Sequence, residues 1–115
     1  MKIITNQEFL AKPSGILFAK YQPPNFGSLC IKGDTFGGND FTYCEAVFGF
    51  DCTDDLDHFE VLDQAEKNGT SVPMAFQQYQ RDSMCDANQL YAVFERDDLV
   101  EFVAGLQDLL PAHNR

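Results

Sequence analysis

Gly27-Ser28-Leu29-Cys30-Ile31-Lys32 and Phe41-Thr42-Tyr43-Cys44-Glu45-Ala46-Val47-Phe48 are two β-prone runs, separated by Gly33-Asp34 and then Gly37-Gly38-Asn39-Asp40. In the first run Leu29 and Ile31 fall on one face of an extended chain, where side chains alternate. The residues between the runs supply turn chemistry, because Gly and Asn tolerate positive φ. Two strands joined by short turns return antiparallel.

Working towards the N-terminus, Gly15-Ile16-Leu17-Phe18-Ala19-Lys20-Tyr21 is a further β-prone run, ended by Pro23-Pro24-Asn25. It extends the pair into a meander of three strands. Before it, Thr5 and Glu8 have the spacing of a capping box, and Ile4 and Phe9 that of the hydrophobic staple around it. The helix they start is short, because Pro13-Ser14-Gly15 ends it within two turns.

Towards the C-terminus, Thr53 or Asp54 caps a helix that reaches about Lys67. Leu56, Phe59, Leu62 and Ala65 share one face of it, and Asn68-Gly69 stops it. Residues Val72 to Gln80 fit either strand or loop, with strand favoured. Leu90-Tyr91-Ala92-Val93-Phe94-Glu95 is the clearest strand of the chain. Asp97 caps a last helix, with Leu99, Phe102, Val103, Leu106 and Leu110 at helical spacing before Pro111. Strands interrupted by helices, with short turns, predict an α+β fold: one domain over residues 1–115, with an antiparallel sheet of four to five strands and a short N-terminal, a middle and a C-terminal helix.

The 115 residues, 44% apolar with 11 Phe, suit one core. The start, Met1 to Glu8, turns polar after four residues and lacks the apolar stretch of a signal peptide, and no apolar run reaches the ~18 residues of a membrane span. A cytoplasmic location is expected. Cys30, Cys44, Cys52 and Cys85 fit it as reduced thiols, without CxxC spacing.

The net charge of −10 is unevenly placed. Residues 1–33 carry four lysines against Glu8, whereas residues 34–66 hold seven Asp and three Glu with no Lys or Arg. Direct binding of nucleic acid is disfavoured, since it needs basic side chains to displace counterions from phosphates. A basic protein surface is the natural complement.

Chemistry within the acidic segment is weak. Asp51, Thr53 and Asp55 fit the first ligand positions of a calcium loop, but Leu56 and Leu62 stand where Gly and Glu are required. Asp55, Asp57 and His58, the alternative centre of a metal enzyme, splay apart around a helix start; carboxylates there favour the helix dipole. Cys44, Cys52, His58 and Cys85 match no common zinc spacing. No GxSxG elbow appears, and Gly33-Asp34-Thr35-Phe36-Gly37-Gly38 lacks the lysine of a phosphate loop. No enzyme, no cofactor and no metal site is expected. The polar stretch from Arg81 to Asn88 reads as a connector that can add Asp82 and Asp86 to an acidic surface. The candidate partner-binding residues are therefore Asp51, Asp54, Asp55, Asp57, Glu60, Asp63, Asp82 and Asp86.

Lys12 to Tyr21, continued by Phe26 to Gly33, resembles the opening of a group of small acidic uncharacterised phage and prophage proteins, and the strand-then-helix ending from Gln89 to Leu106 is similar to theirs. The resemblance implies an accessory protein acting in the bacterial host cell. Many such proteins, anti-CRISPRs among them, bind a host protein, and acidic ones cover a surface that would otherwise hold nucleic acid. No catalytic residue carries over. The alternative expectation is an acidic scaffold, or a homodimer formed through an exposed apolar face, whose charge serves only solubility.

Overall fold

The computed structural model describes residues 1–46, 55–72 and 79–111, with the backbone alone for 55–58. The chain runs β1 (Lys2–Ile4), α1 (Asn6–Leu10), β2 (Leu17–Gln22), β3 (Asn25–Phe26), β4 (Cys30–Phe36), β5 (Asp40–Glu45), α2 (Asp55–Asn68), β6 (Gln80–Arg81), β7 (Leu90–Val93) and α3 (Arg96–Gln107). All described pairings are antiparallel. The α+β architecture thus stands, but among the described residues the sheet already has seven strands rather than four or five. Their order is β1-β7-β2-β4-β5-β6, with β3 also on β2. The expected meander is β2-β4-β5, and β7 returns to lie between β1 and β2.

Two bulges shape the sheet. From Phe26 to Cys30 the chain takes four residue steps, while their partners Tyr21 and Phe18 are three apart. Gly27 still donates to the Lys20 carbonyl at 2.7 Å and Leu29 accepts from the Ala46 N–H at 2.9 Å, so the extra residue falls at Ser28, and such a bulge bends its strand. The second bulge lies between Lys32 and Thr35. Here Gly33-Asp34, expected to turn the chain, is carried inside β4 instead. A Cβ on Gly33 would stand 2.1 Å from Thr42 Oγ1, so the bulge is closed against β5. The turn itself falls at Gly37 and Gly38, whose φ values of +64° and +75° suit glycine.

α1 packs on one sheet face. Thr5 Oγ1 accepts from the Glu8 N–H at 3.2 Å and Glu8 Oε1 from the Thr5 N–H at 3.2 Å, completing the capping box. Ile4 and Phe9 both enter the core, as the staple requires. Phe9 is fully buried. Its ring stacks on Tyr91 at 3.9 Å and lies 4.7 Å from Phe18 and 5.0 Å from Phe41. Each such aromatic pair contributes about 1 kcal/mol beyond the area it buries.

The helix is fastened at its other end by Lys32, which is fully buried. Its Nζ donates to the Lys12 carbonyl at 2.9 Å, the Gly33 carbonyl at 3.1 Å and Thr35 Oγ1 at 2.8 Å. Thr35 Oγ1 in turn donates to the Leu10 carbonyl at 2.8 Å. Carbonyls at a helix C-terminus lack intrahelical partners and attract positive charge. Lys32, which composition places with the surface cations, is therefore a buried cap for the end of α1.

The helix boundaries differ in detail from expectation. Gly69, with φ +66°, ends α2 and its N–H bonds the Ala65 carbonyl at 3.0 Å, as Asn68-Gly69 predicts. Thr53 and Asp54, the expected caps of α2, lie outside the described residues. For α3 the cap is Glu95 rather than Asp97, because Asp98 turns back to accept the Glu95 N–H at 2.8 Å. The apolar residues at helical spacing do fall on α3, yet no residue of the helix is buried, and Val100, Phe102, Val103 and Leu106 are exposed. A groove of about 370 Å³ separates Phe102 from Leu17 and Leu29 of the sheet side.

Candidate functional site

Among the described residues, some acidic side chains hold the fold and others face solvent. Asp40 is of the first kind, 3% exposed at the start of β5. It accepts from Arg81 Nη2 at 3.0 Å and Nε at 3.2 Å, from the Phe41 N–H at 2.8 Å and from the Ser83 N–H at 3.0 Å. Desolvation raises its pKa, but the Ser83 and Phe41 N–H groups and the Arg81 guanidinium outweigh it and hold the carboxyl below its ordinary value. Arg81 also lies 4.9 Å over the Phe36 ring. This carboxylate stitches β6 and the following loop onto the sheet.

Asp82 is of the same kind. Its side chain is 6% exposed and accepts from Lys20 Nζ at 2.6 Å. The expectation that it adds to an acidic surface is therefore corrected: its charge is spent inside an ion pair spanning β2 and the loop after β6. Asp86 in that loop is exposed, and its Oδ1 accepts the Asn88 N–H at 2.9 Å. The loop holds Ser83 at φ +61° and Cys85 at φ +48°, left-handed positions occupied without glycine.

On α2, Glu60, Asp63 and Glu66 are exposed. Residues three apart are neighbours on a helix, so the three form one row along it. Lys67 bridges to Asp63 at 3.2 Å and is itself exposed, and an exposed i,i+4 pair of this kind contributes only about 0.5 kcal/mol. Asp55 and Asp57 stand in the first turn of the same helix, with side chains outside the described residues. Asp51 and Asp54 lie outside them altogether, as do Cys52 and the side chain of His58. Among the described residues, no three His, Cys, Asp or Glu side chains converge to hold a metal ion.

One cleft is associated with the fold-holding ion pair. Where the chain bulges at Gly27 and Ser28, a hollow of about 140 Å³ opens on the α1 side of the sheet. Its floor is aromatic, from Phe18, Phe41 and Tyr43, with the buried Cys30 among them. Lys20 and Asp82 line it together, and Glu45 also reaches it. Burial, then the charges of Glu45 and Cys44, push the Cys30 thiol up to about 11. Its Sγ donates to the Ser28 carbonyl at 3.5 Å, so it is a packed thiol and no nucleophile. Burial likewise raises the Tyr43 hydroxyl above its ordinary range. Sequence reading missed this cleft, since its parts come from four separated segments and depend on a bulge that leaves no clear mark in the pattern.

No helix among the described residues is long and apolar enough to cross a membrane. The chain matches no protein-family model, no curated protein and no solved structure.

Proposed function

We propose that this chain is a non-enzymatic binding protein that sets exposed carboxylates against a basic surface of a protein partner. What supports the reading is the fate of its basic side chains. Lys20, Lys67 and Arg81 are each paired with an Asp, and Lys32 is buried. Among the described residues this leaves Lys2, Lys12 and Arg96 exposed against Asp34, Glu60, Glu66, Asp86, Asp97 and Glu101. Exposed charge of one sign steers a partner of the other sign and sets on-rate and specificity. In the phage or prophage setting that the sequence resemblance implies, the partner is a nucleic-acid-binding host protein in the bacterial cytoplasm. The chain then acts as an anti-CRISPR or other anti-defence inhibitor by nucleic-acid mimicry.

The test is affinity purification from the bacterial host, followed by titration of the identified partner at several salt concentrations. Neutralising the α2 row (Glu60→Gln, Asp63→Asn, Glu66→Gln) should weaken binding and flatten its salt dependence with the fold intact. Unchanged affinity and unchanged salt dependence would overturn the reading.

A second reading is favoured by one observation, the exposure of Val100, Phe102, Val103 and Leu106 on α3. It makes the chain an acidic scaffold that dimerises through this helix. Light scattering that finds a monomer removes it.

A further inference from the structure

The cleft at the Gly27–Ser28 bulge has a size that selects its occupant. At about 140 Å³ it has room for some five waters at ~30 Å³ each. Pockets for drug-sized ligands and cofactors run from about 300 Å³ upward. The hollow is thus the size of one side chain.

Its charges select the sign. The Lys20 ammonium is neutralised by Asp82 at 2.6 Å. Glu45 makes no hydrogen bond or ion pair with any side chain among the described residues, so its carboxylate is the uncompensated charge on the wall. An anion is repelled there. A hydrated metal ion is poorly served, since hard cations need several oxygen ligands and the floor is aromatic. Phe18 and Phe41 are buried behind it, but the half-buried Tyr43 ring offers surface to an aliphatic stem, and aromatic faces attract a desolvated cation.

We propose that the cleft receives a single arginine side chain of the basic partner, its stem on Tyr43 and its guanidinium on Glu45. The planar guanidinium suits both the ring face and a two-oxygen acceptor better than an ammonium does. Arginine buried in a pocket is a common energetic anchor of interfaces, surrounded by weaker polar contacts. The α2 row then supplies steering while the cleft supplies the anchor. The inference rests on the proposed binding of a basic partner, whose sequence it constrains.

The test uses the full-length ¹⁵N-labelled chain titrated with N-acetyl-arginine amide, N-acetyl-lysine amide and N-acetyl-norleucine amide. Saturable shifts of the Ser28, Cys30, Glu45 and Asp82 amides are expected, in the order arginine, lysine, norleucine. Glu45→Gln, whose native spectrum reports its folding, should weaken arginine amide roughly tenfold, a change of about 1.4 kcal/mol. The α2-neutralised chain should bind the amide as the wild type does. Absence of saturable shifts at the cleft, equal response to norleucine amide, or an unaffected Glu45→Gln variant each overturns the assignment. Salt-sensitive partner binding with a silent cleft would sink this inference alone. A responsive cleft with partner binding indifferent to the α2 row would sink the acidic-face reading and leave the arginine site standing.

Discussion

Lys32 Nζ donates to the Lys12 carbonyl at 2.9 Å, and so a side chain from β4 closes the end of α1 on the opposite wall of the core. The Lys32 stem is fully buried, and its ammonium lies 5.7 Å from the Phe9 ring centroid. Lys32→Ala removes the stem and three hydrogen bonds together, and should cost about 3 kcal/mol in urea unfolding. Lys32→Met keeps the stem and drops the desolvated charge, and should cost about 1 kcal/mol. Burial lowers the Lys32 pKa below 10.5, with Asp34 acting in the opposite sense. The folded chain therefore loses this proton before the unfolded one does. Stability relative to Lys32→Met should rise as pH climbs from the folded value towards 10.5. A difference flat in pH would show that the ammonium is not desolvated.

Asp40 gives the opposite slope. Its folded pKa lies below the ordinary 3.8, so its stabilisation is complete above that value and is lost as pH falls through the depressed one. Asp40→Asn should be less stable than the wild type at neutral pH, with the gap closing in acid below the ordinary carboxylate range. Hydrogen exchange at Arg81 and Ser83 should quicken in the variant, because the carboxylate ties both to β5. A gap that stays constant with pH would mean that neutral hydrogen bonding serves equally well.

Much of this fold is legible where a local rule acts alone. Thr5 with Glu8, Gly37 with Gly38 and Gly69 each satisfy their own backbone, and each is where the sequence places it. What escapes is whatever tertiary pairing decides. β1 has three residues, Lys2–Ile4, too few to show a period, and exists because β7 returns beside it. By composition Asp97 is the better cap, but the reach of Asp98 back to the Glu95 N–H sets the boundary at Glu95. Charge counting sees Asp82 and Glu60 as equals, although one is locked onto Lys20 and the other faces solvent. The anchor cleft depends on Glu45 and Lys20, two strands apart, and on an extra residue at the bulge.

Gly33 tests whether the second bulge is fixed by close approach. A Cβ there meets Thr42 Oγ1 at 2.1 Å, Tyr79 Cδ1 at 3.0 Å and the Thr42 carbonyl at 3.2 Å. Part of that clash is with backbone, which cannot rotate away. Gly33→Ala should cost about 2 kcal/mol, in the range for overpacking a filled site. Thr42→Ala in the same chain should recover some of it by removing the hydroxyl, as a double-mutant cycle would report. Additive costs would place the strain elsewhere in the strand.

Cys30 and Cys85 should differ sharply in reactivity although both are reduced thiols. Cys30 is buried, and desolvation together with Glu45 and Cys44 pushes its pKa up to about 11, whereas Cys85 is exposed. At pH 8 only roughly a thousandth of Cys30 is thiolate, the form that reacts. Iodoacetamide should therefore label Cys85 in the native protein and reach Cys30 only in urea, as peptide mapping by mass spectrometry would show. Glu45→Gln removes one of the charges opposing ionisation at Cys30 without uncovering it, so protection should persist in that variant. Rapid native labelling of Cys30 would mean that the bulge at Gly27 and Ser28 opens in solution, and with it the floor on which the arginine anchor depends.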